Sequence, residues 1–210
     1  MKTPCIDWRG TLRTTLVLAL LAQAGAALAA GFDLAALSAE LARNKSGQAR
    51  FTEERFVTGI DSPLRASGVL SFVAPDRFTR QTLEPLAESM TVEGNTITLK
   101  RNGRSRQMAM DAVPELAALI AAVRGTLSGD AATLEKHFKV RVEGTAARWM
   151  LTLVPRDARL ATQVRELQIA GLAGDVRSVA LWLGGGDRSV MAVEPLQPLQ
   201  PLTPASAASR

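Results

Sequence analysis

Residues 88–110 read ESMTVEGNTITLKRNGRSRQMAM, short alternating runs broken by turn dipeptides. Met90, Ile97, Leu99, Met108 and Met110 fall at alternate positions within these runs, the period of a strand with one face turned to a core. Gly94-Asn95 and Asn102-Gly103 separate the runs, and both pairs suit two-residue hairpin loops that need positive φ. Three antiparallel strands follow, at 88–93, 96–101 and 104–110.

The same period extends toward the N-terminus. Runs 51–57, 64–72 and 78–83 are punctuated by Asp61-Ser62-Pro63, Ala74-Pro75-Asp76 and Glu84-Pro85, so the first half is a six-stranded meander. Ahead of it, Asp33 can cap a helix whose Leu34, Leu37 and Leu41 share one face, and residues 44–47 break that helix. Behind it, Pro114 suits a helix N-terminus, Leu116, Leu119, Ile120 and Val123 form an apolar stripe, and Gly125 can end the helix. Asp130, Leu134, His137 and Phe138 suggest a third short helix. Five more strands, at 138–143, 148–154, 164–171, 176–183 and 189–193, are separated by Gly144, Pro155, Gly174 and Gly184-Gly185-Gly186. About eleven strands and three helices with no repeated βαβ unit predict a mainly β fold with some α. A sheet of that size curls. The expected architecture is an unclosed antiparallel β-barrel covered by short lid helices.

The two ends carry other signals. Lys2, Arg9 and Arg13, an apolar run at 14–21 and the small-x-small site Ala27-Leu28-Ala29 predict a secretory signal peptide over 1–29, cleaved after about Ala29. The run is too short for a membrane anchor, and the single cysteine, Cys5, lies ahead of it, where it cannot carry a lipoprotein anchor. The barrel domain is then 30–195. Pro195, Pro198, Pro201 and Pro204 recur every third residue, so 196–210 reads as a proline-rich, polyproline-like disordered tail. Export without a cysteine framework points to a bacterial periplasm.

Composition narrows the function. The 210 residues are 47% hydrophobic and 21% charged, a globular balance. One Cys and one His cannot build a four-ligand zinc or iron–sulfur site, and no metal or cofactor is expected. Removing 1–29 leaves 22 basic against 19 acidic residues, with no clustering that would suit a nucleic acid. His137 sits at a helix-to-strand junction with no evident acid–base partner, and no Gly-x-Ser-x-Gly, Walker or dinucleotide pattern is present. Gly184-Gly185-Gly186-Asp187 lacks the Lys and following helix of a phosphate loop and reads as a hairpin turn. Glu53 and Glu54 are adjacent in a strand, so they point to opposite faces and cannot act as a carboxylate pair. No catalytic residue is expected.

What remains is an adaptable apolar face. Leu70, Phe72 and Phe78 share the alternation with Met90, Ile97, Met108 and Met110, and methionines suit ligands of loose shape. A curled sheet of this many strands can enclose more space than its own side chains fill, enough for an acyl chain. Leu116, Leu119, Ile120 and Val123 would cover it. The hairpin bearing Lys100, Arg101, Arg104 and Arg106 is a solvated, aggregation-blocking edge or a docking site for anionic headgroups or an acidic partner.

Phe51-Thr52-Glu53, Ser67-Gly68-Val69-Leu70-Ser71-Phe72 with Pro75 and Phe78, then Pro85 and Val92-Glu93-Gly94-Asn95 with Ile97, resemble the outer-membrane lipoprotein carrier LolA and its relatives. The resemblance covers the first half of the mature chain well and the second half through strand order. It implies a LolA/LolB-like unclosed barrel with a helical lid and a non-enzymatic activity. Acyl chains of a lipoprotein are taken from an inner-membrane exporter, shielded across the periplasm and handed to an outer-membrane acceptor. Typical members carry an Arg before the proline that holds the lid by hydrogen bonds; here that position is Ala74. Thr79 replaces a frequent Trp, and Glu53 a frequent Gln. These departures imply a divergent relative, similar to components of export systems for polyene or other acylated lipids. The expected protein is a monomeric carrier of an acylated cargo. Its rival from another class is a lipid-sensing regulator that uses the same half-barrel to bind a signalling partner.

Overall fold

The computed structural model describes residues 31–112 and 114–196. The predicted signal peptide lies outside the described residues, as does the tail beyond Leu196. Leu196 itself donates its N–H to the carbonyl of Gln48 at 2.7 Å.

Helix α1 (Leu34–Leu41) opens the described chain. Asp33 caps it by accepting from the Ala36 N–H at 2.9 Å, and Leu37 and Leu41 are buried. Six strands follow: β1 (Ser46–Phe56), β2 (Leu64–Val73), β3 (Arg77–Glu84), β4 (Glu88–Glu93), β5 (Thr96–Arg101) and β6 (Arg104–Ala109). A 3₁₀ turn (Met110–Ala112) leads into α2 (Pro114–Ser128) and α3 (Ala131–His137). The second half holds β7 (Phe138–Thr145), β8 (Arg148–Pro155), α4 (Ala158–Gln163), β9 (Val164–Leu172), β10 (Asp175–Leu183) and β11 (Arg188–Pro195).

All eleven strands form one antiparallel sheet in the order β6-β5-β4-β3-β2-β1-β11-β10-β9-β8-β7. The two meanders therefore join through their first and last strands, Phe51 lying opposite Val193. β6 and β7 remain as unpaired edges, so the barrel is unclosed. The expected strand count and architecture are those observed.

The boundaries differ for physical reasons. β1 begins at Ser46, five residues earlier than alternation suggests, because Ser46–Ala49 still pair with Leu70–Val73 across the ladder. Gly125 does not end α2. It is buried inside the helix, where a Cβ would stand 3.0 Å from Leu134, and the stop comes at Gly129 with φ +71°. Gly144 lies within β7, not beyond it. Helix α4 was not expected; its signal is the Asp157 cap, which accepts from Leu160 N–H at 2.8 Å. At the hairpins, Asn102 and Gly103 both take positive φ, whereas at Gly94-Asn95 only the glycine does.

Burial falls into two clusters on the concave face. The larger packs α1, α3 and α4 on β7–β9 through Leu37, Leu134, Phe138, Trp149, Leu151 and Leu160. The smaller joins Val92, Ile97 and Ile120, with Met90, Met108 and Met110 against them. Helix α2 contributes to both, Ile120 to one and Ala122 to the other, so it bridges the two flanks of the curled sheet.

Candidate functional site

Between the two clusters the side chains leave a cavity of about 1200 Å³. Pockets that enclose drug-sized ligands run to roughly 300–1,000 Å³, so this one suits a larger or longer occupant. Leu119 and Val123 form its roof from α2, and Met90 and Leu99 its near wall from β4 and β5. The far wall is Leu167 on β9, Val179, Leu181 and Leu183 on β10, and Met191 on β11. Strand register explains the grouping. Met90 faces Leu99 across one ladder, Leu181 faces Leu167 across another, and Val179 faces Met191 across a third.

One polar cluster is set into the floor. Glu53 on β1 is 7% exposed; Arg80 on β3 donates to its Oε2 at 2.5 Å, and the Ser189 hydroxyl donates to its Oε1. The Arg80 guanidinium also lies 4.6 Å over the Phe51 ring. Burial alone raises the Glu53 pKa. The hydrogen bond from Ser189, the hydrogen bond and charge of Arg80, and the charge of Arg55 outweigh it and hold the carboxyl below its ordinary value of 4.5. Glu54, on the opposite face, pairs outward with Arg65 at 3.0 Å.

The mouth is basic. Arg55, Lys100, Arg101, Arg104 and Arg106 line it together with Glu88. Among the described residues no group of His, Cys, Asp and Glu could hold a metal ion, and no helix is long and apolar enough to cross a membrane.

The sequence pattern of the family described as outer membrane lipoprotein carrier protein LolA-like matches residues 24–190. The chain belongs to this family. No curated protein matches it in sequence. Among solved structures it is similar to a LolA superfamily protein from Nitrosomonas europaea, with 10% identity, 80% of this chain and 93% of that one covered, and TM-score 0.43. It is also similar to the lipoprotein LppX of Mycobacterium tuberculosis, with 12% identity, 80% and 97% covered, and TM-score 0.40. A third likeness is to the MucA/MucB complex of Pseudomonas aeruginosa, with 16% identity, 80% and 58% covered, and TM-score 0.34.

This LolA-like chain fastens its lid in its own way. Ala74 offers no side-chain donor, and its N–H goes to the carbonyl of Lys45 at 2.8 Å. The fastening comes from the helix instead. Arg124 on α2 donates to the carbonyl of Gly94 at 3.0 Å and approaches Asp76 at 3.6 Å, and Asp76 in turn accepts from the Gly94 N–H at 3.1 Å. The sequence offered Asp76 as a turn residue and gave no sign of its partner.

The residues singled out from sequence separate into three groups. Met90, Leu119 and Val123 line the cavity, and Lys100, Arg101, Arg104 and Arg106 stand at its mouth. Ile97 and Ile120 are filled core, with Met108 and Met110 packed against them. Phe72 faces Phe78 in register and Leu70 faces Arg80; Arg80 reaches the cavity, whereas Leu70, Phe72 and Phe78 share its pleat but lie beyond the open space. Leu116 falls on α2, and its side chain lies outside the described residues. Sequence reasoning missed Leu167, Val179, Leu181, Leu183 and Met191. Their alternation was visible; that they face a void was not. His137 ends α3, as its junction position suggested, and Gly184-Gly185-Gly186-Asp187 is the β10–β11 turn, with Asp187 accepting from the Thr58 N–H at 2.9 Å.

Proposed function

We propose that this LolA-like protein is a periplasmic carrier that binds the acyl chains of a lipoprotein or another acylated lipid in its half-barrel. It would take them from an inner-membrane exporter, shield them and deliver them to an outer-membrane acceptor, with no chemical step. The observation that carries the reading is the large cavity walled by Met90, Leu119, Val179, Leu181 and Met191 beneath helix α2. Each methylene placed there is worth about 0.8 kcal/mol. Flexible methionines and leucines suit chains of varied length. The one buried carboxylate among the described residues, Glu53, is already held by Arg80 and Ser189, which supports binding over catalysis.

Native mass spectrometry with lipid extraction, on mature protein from a periplasm, tests the reading. A bound acylated molecule is expected, and Leu181→Asp should abolish uptake of a fluorescent fatty acid while the exposed Leu172→Asp leaves it intact. A clean apo mass together with no uptake by the unaltered protein overturns the carrier.

A further inference from the structure

The charges at the cavity mouth are arranged by the pleat. In the β5–β6 ladder Leu99 lies opposite Arg106 and Arg101 opposite Arg104, and all four share the face that carries Ile97 and Met108 into the core. The three arginines therefore line the inside of the curl. Inward-pointing charge can by itself blunt an exposed edge, but these arginines also border the cavity. Lys100, opposite Ser105, sits on the other pleat and still borders the mouth.

The arrangement is also unfavourable by itself. Like charges directly opposite each other across a ladder destabilise it, and Arg101 against Arg104 is such a pair. Among the described residues, six cations and two carboxylates line the cavity as a whole. Glu53 is taken by Arg80, and Glu88, the neighbour of Arg101 on β4, has no ion pair among the described residues. Facing arginines that form no close ion pair among the described residues, with Glu88 the one carboxylate opposite them, stand at the open end of an apolar cavity and form an oxyanion site in which planar guanidinium groups can grip carboxylate or phosphate oxygens in pairs.

We infer that Arg101, Arg104 and Arg106 hold the anionic headgroup of an amphiphile whose acyl chain occupies the cavity. The inference rests on the carrier reading and adds a substrate class to it, that of carboxylate- or phosphate-headed lipids in preference to neutral ones. The chain lies against Met90, Leu99 and Leu181, and the headgroup stays at the mouth, partly wet. Binding of such a ligand weakens with salt, whereas binding of a neutral lipid does not.

The test compares palmitate, palmitoyl lysophosphatidate and the neutral monopalmitoylglycerol on the mature protein at pH 8, with inorganic phosphate as competitor. The variant is R101Q/R104Q/R106Q, which keeps polar stems at exposed positions, and its melting curve checks the fold. Unaltered protein should favour both anionic lipids over the neutral one by about tenfold or more, the worth of a charge-assisted hydrogen bond. The triple variant should lose that preference and keep its affinity for monopalmitoylglycerol. Equal binding of all three lipids by unaltered protein, or a preference that survives in the variant, overturns the headgroup site while leaving the carrier standing. Competition by inorganic phosphate at the same concentrations as the lipids overturns it in favour of a free-anion site. If no lipid binds, the carrier reading fails, and this inference with it.

Discussion

Arg124 reaches from the lid helix to within 3.6 Å of Asp76, and both side chains converge on Gly94, whose carbonyl takes the arginine and whose N–H meets the aspartate. The β4–β5 turn is thereby clipped to α2. Arg124 and Asp76 are 24% and 35% exposed, so solvent screens the charge and the hydrogen bonds matter more. Arg124→Ala should cost about 1 kcal/mol of local stability, speeding amide exchange along α2 about fivefold and quickening release of an acyl probe. Unchanged protection of α2 would show that the helix is held by Ile120 and Ala122 alone.

The acid response should follow Glu53. Its folded pKa lies below 4.5, so its contribution to stability is complete above that value and is lost as pH falls through the folded pKa. Glu53→Gln should cost about 1–3 kcal/mol at neutral pH, short of a fully buried pair because Arg80 keeps 24% of its side chain exposed. The gap to the unaltered protein should then close below about pH 4.5. Asp130, whose pKa is lowered by hydrogen bonds from Thr133, keeps part of the acid limb in both proteins. Melting temperatures followed across about pH 3 to 7 decide it: a constant gap means that Glu53 is not the titrating group.

Ala173 is the non-glycine residue that turns β9 into β10, at φ +49°, and its carbonyl accepts the Trp149 indole N–H at 2.7 Å. A Cβ in that region costs about 1–2 kcal/mol, part of which glycine returns as greater unfolded freedom. Ala173→Gly should therefore raise stability by up to about 1 kcal/mol with the Trp149 bond kept. A shifted Trp149 fluorescence maximum would mean that the turn had rearranged instead.

What could be read from the sequence was local. Asn102-Gly103, the alternation from Met90 to Met108, the Asp33 cap and the short helix after Asp130 depend on residues a few positions apart, and all stand as expected. Helix α4 escaped because it is six residues long and buries only Leu160. Gly125 misled because its reason is tertiary, the 3.0 Å approach to Leu134. The opposite facing of Glu53 and Glu54 was legible, but the partners of Glu53 are 27 and 136 residues away. The far wall of the cavity was hidden for the same reason. Alternation announces a face without saying whether it meets a side chain, as Ile97 meets Ile120, or open space, as Leu181 does.

Gly68 belongs to the motif that pointed to the family, and the structure supplies a reason for it. It lies opposite Phe51 on one side and Thr82 on the other, at a register shift in the β2–β3 ladder. A Cβ there would stand 2.0 Å from the Gln81 carbonyl oxygen and 2.9 Å from the Phe51 ring. The oxygen belongs to the backbone and cannot rotate away, so the ladder itself must shift. Phe51 is 1% exposed and carries Arg80 on its face, so moving it also disturbs the ion pair with Glu53. Gly68→Ala should cost about 1–3 kcal/mol from overpacking, with the urea midpoint lowered and the slope unchanged. Adding Phe51→Leu should recover part of the loss by freeing the space over Gly68, although it removes the cation–π contact. If the double variant is no better than the sum of the two single ones, the conflict lies with the Gln81 carbonyl alone.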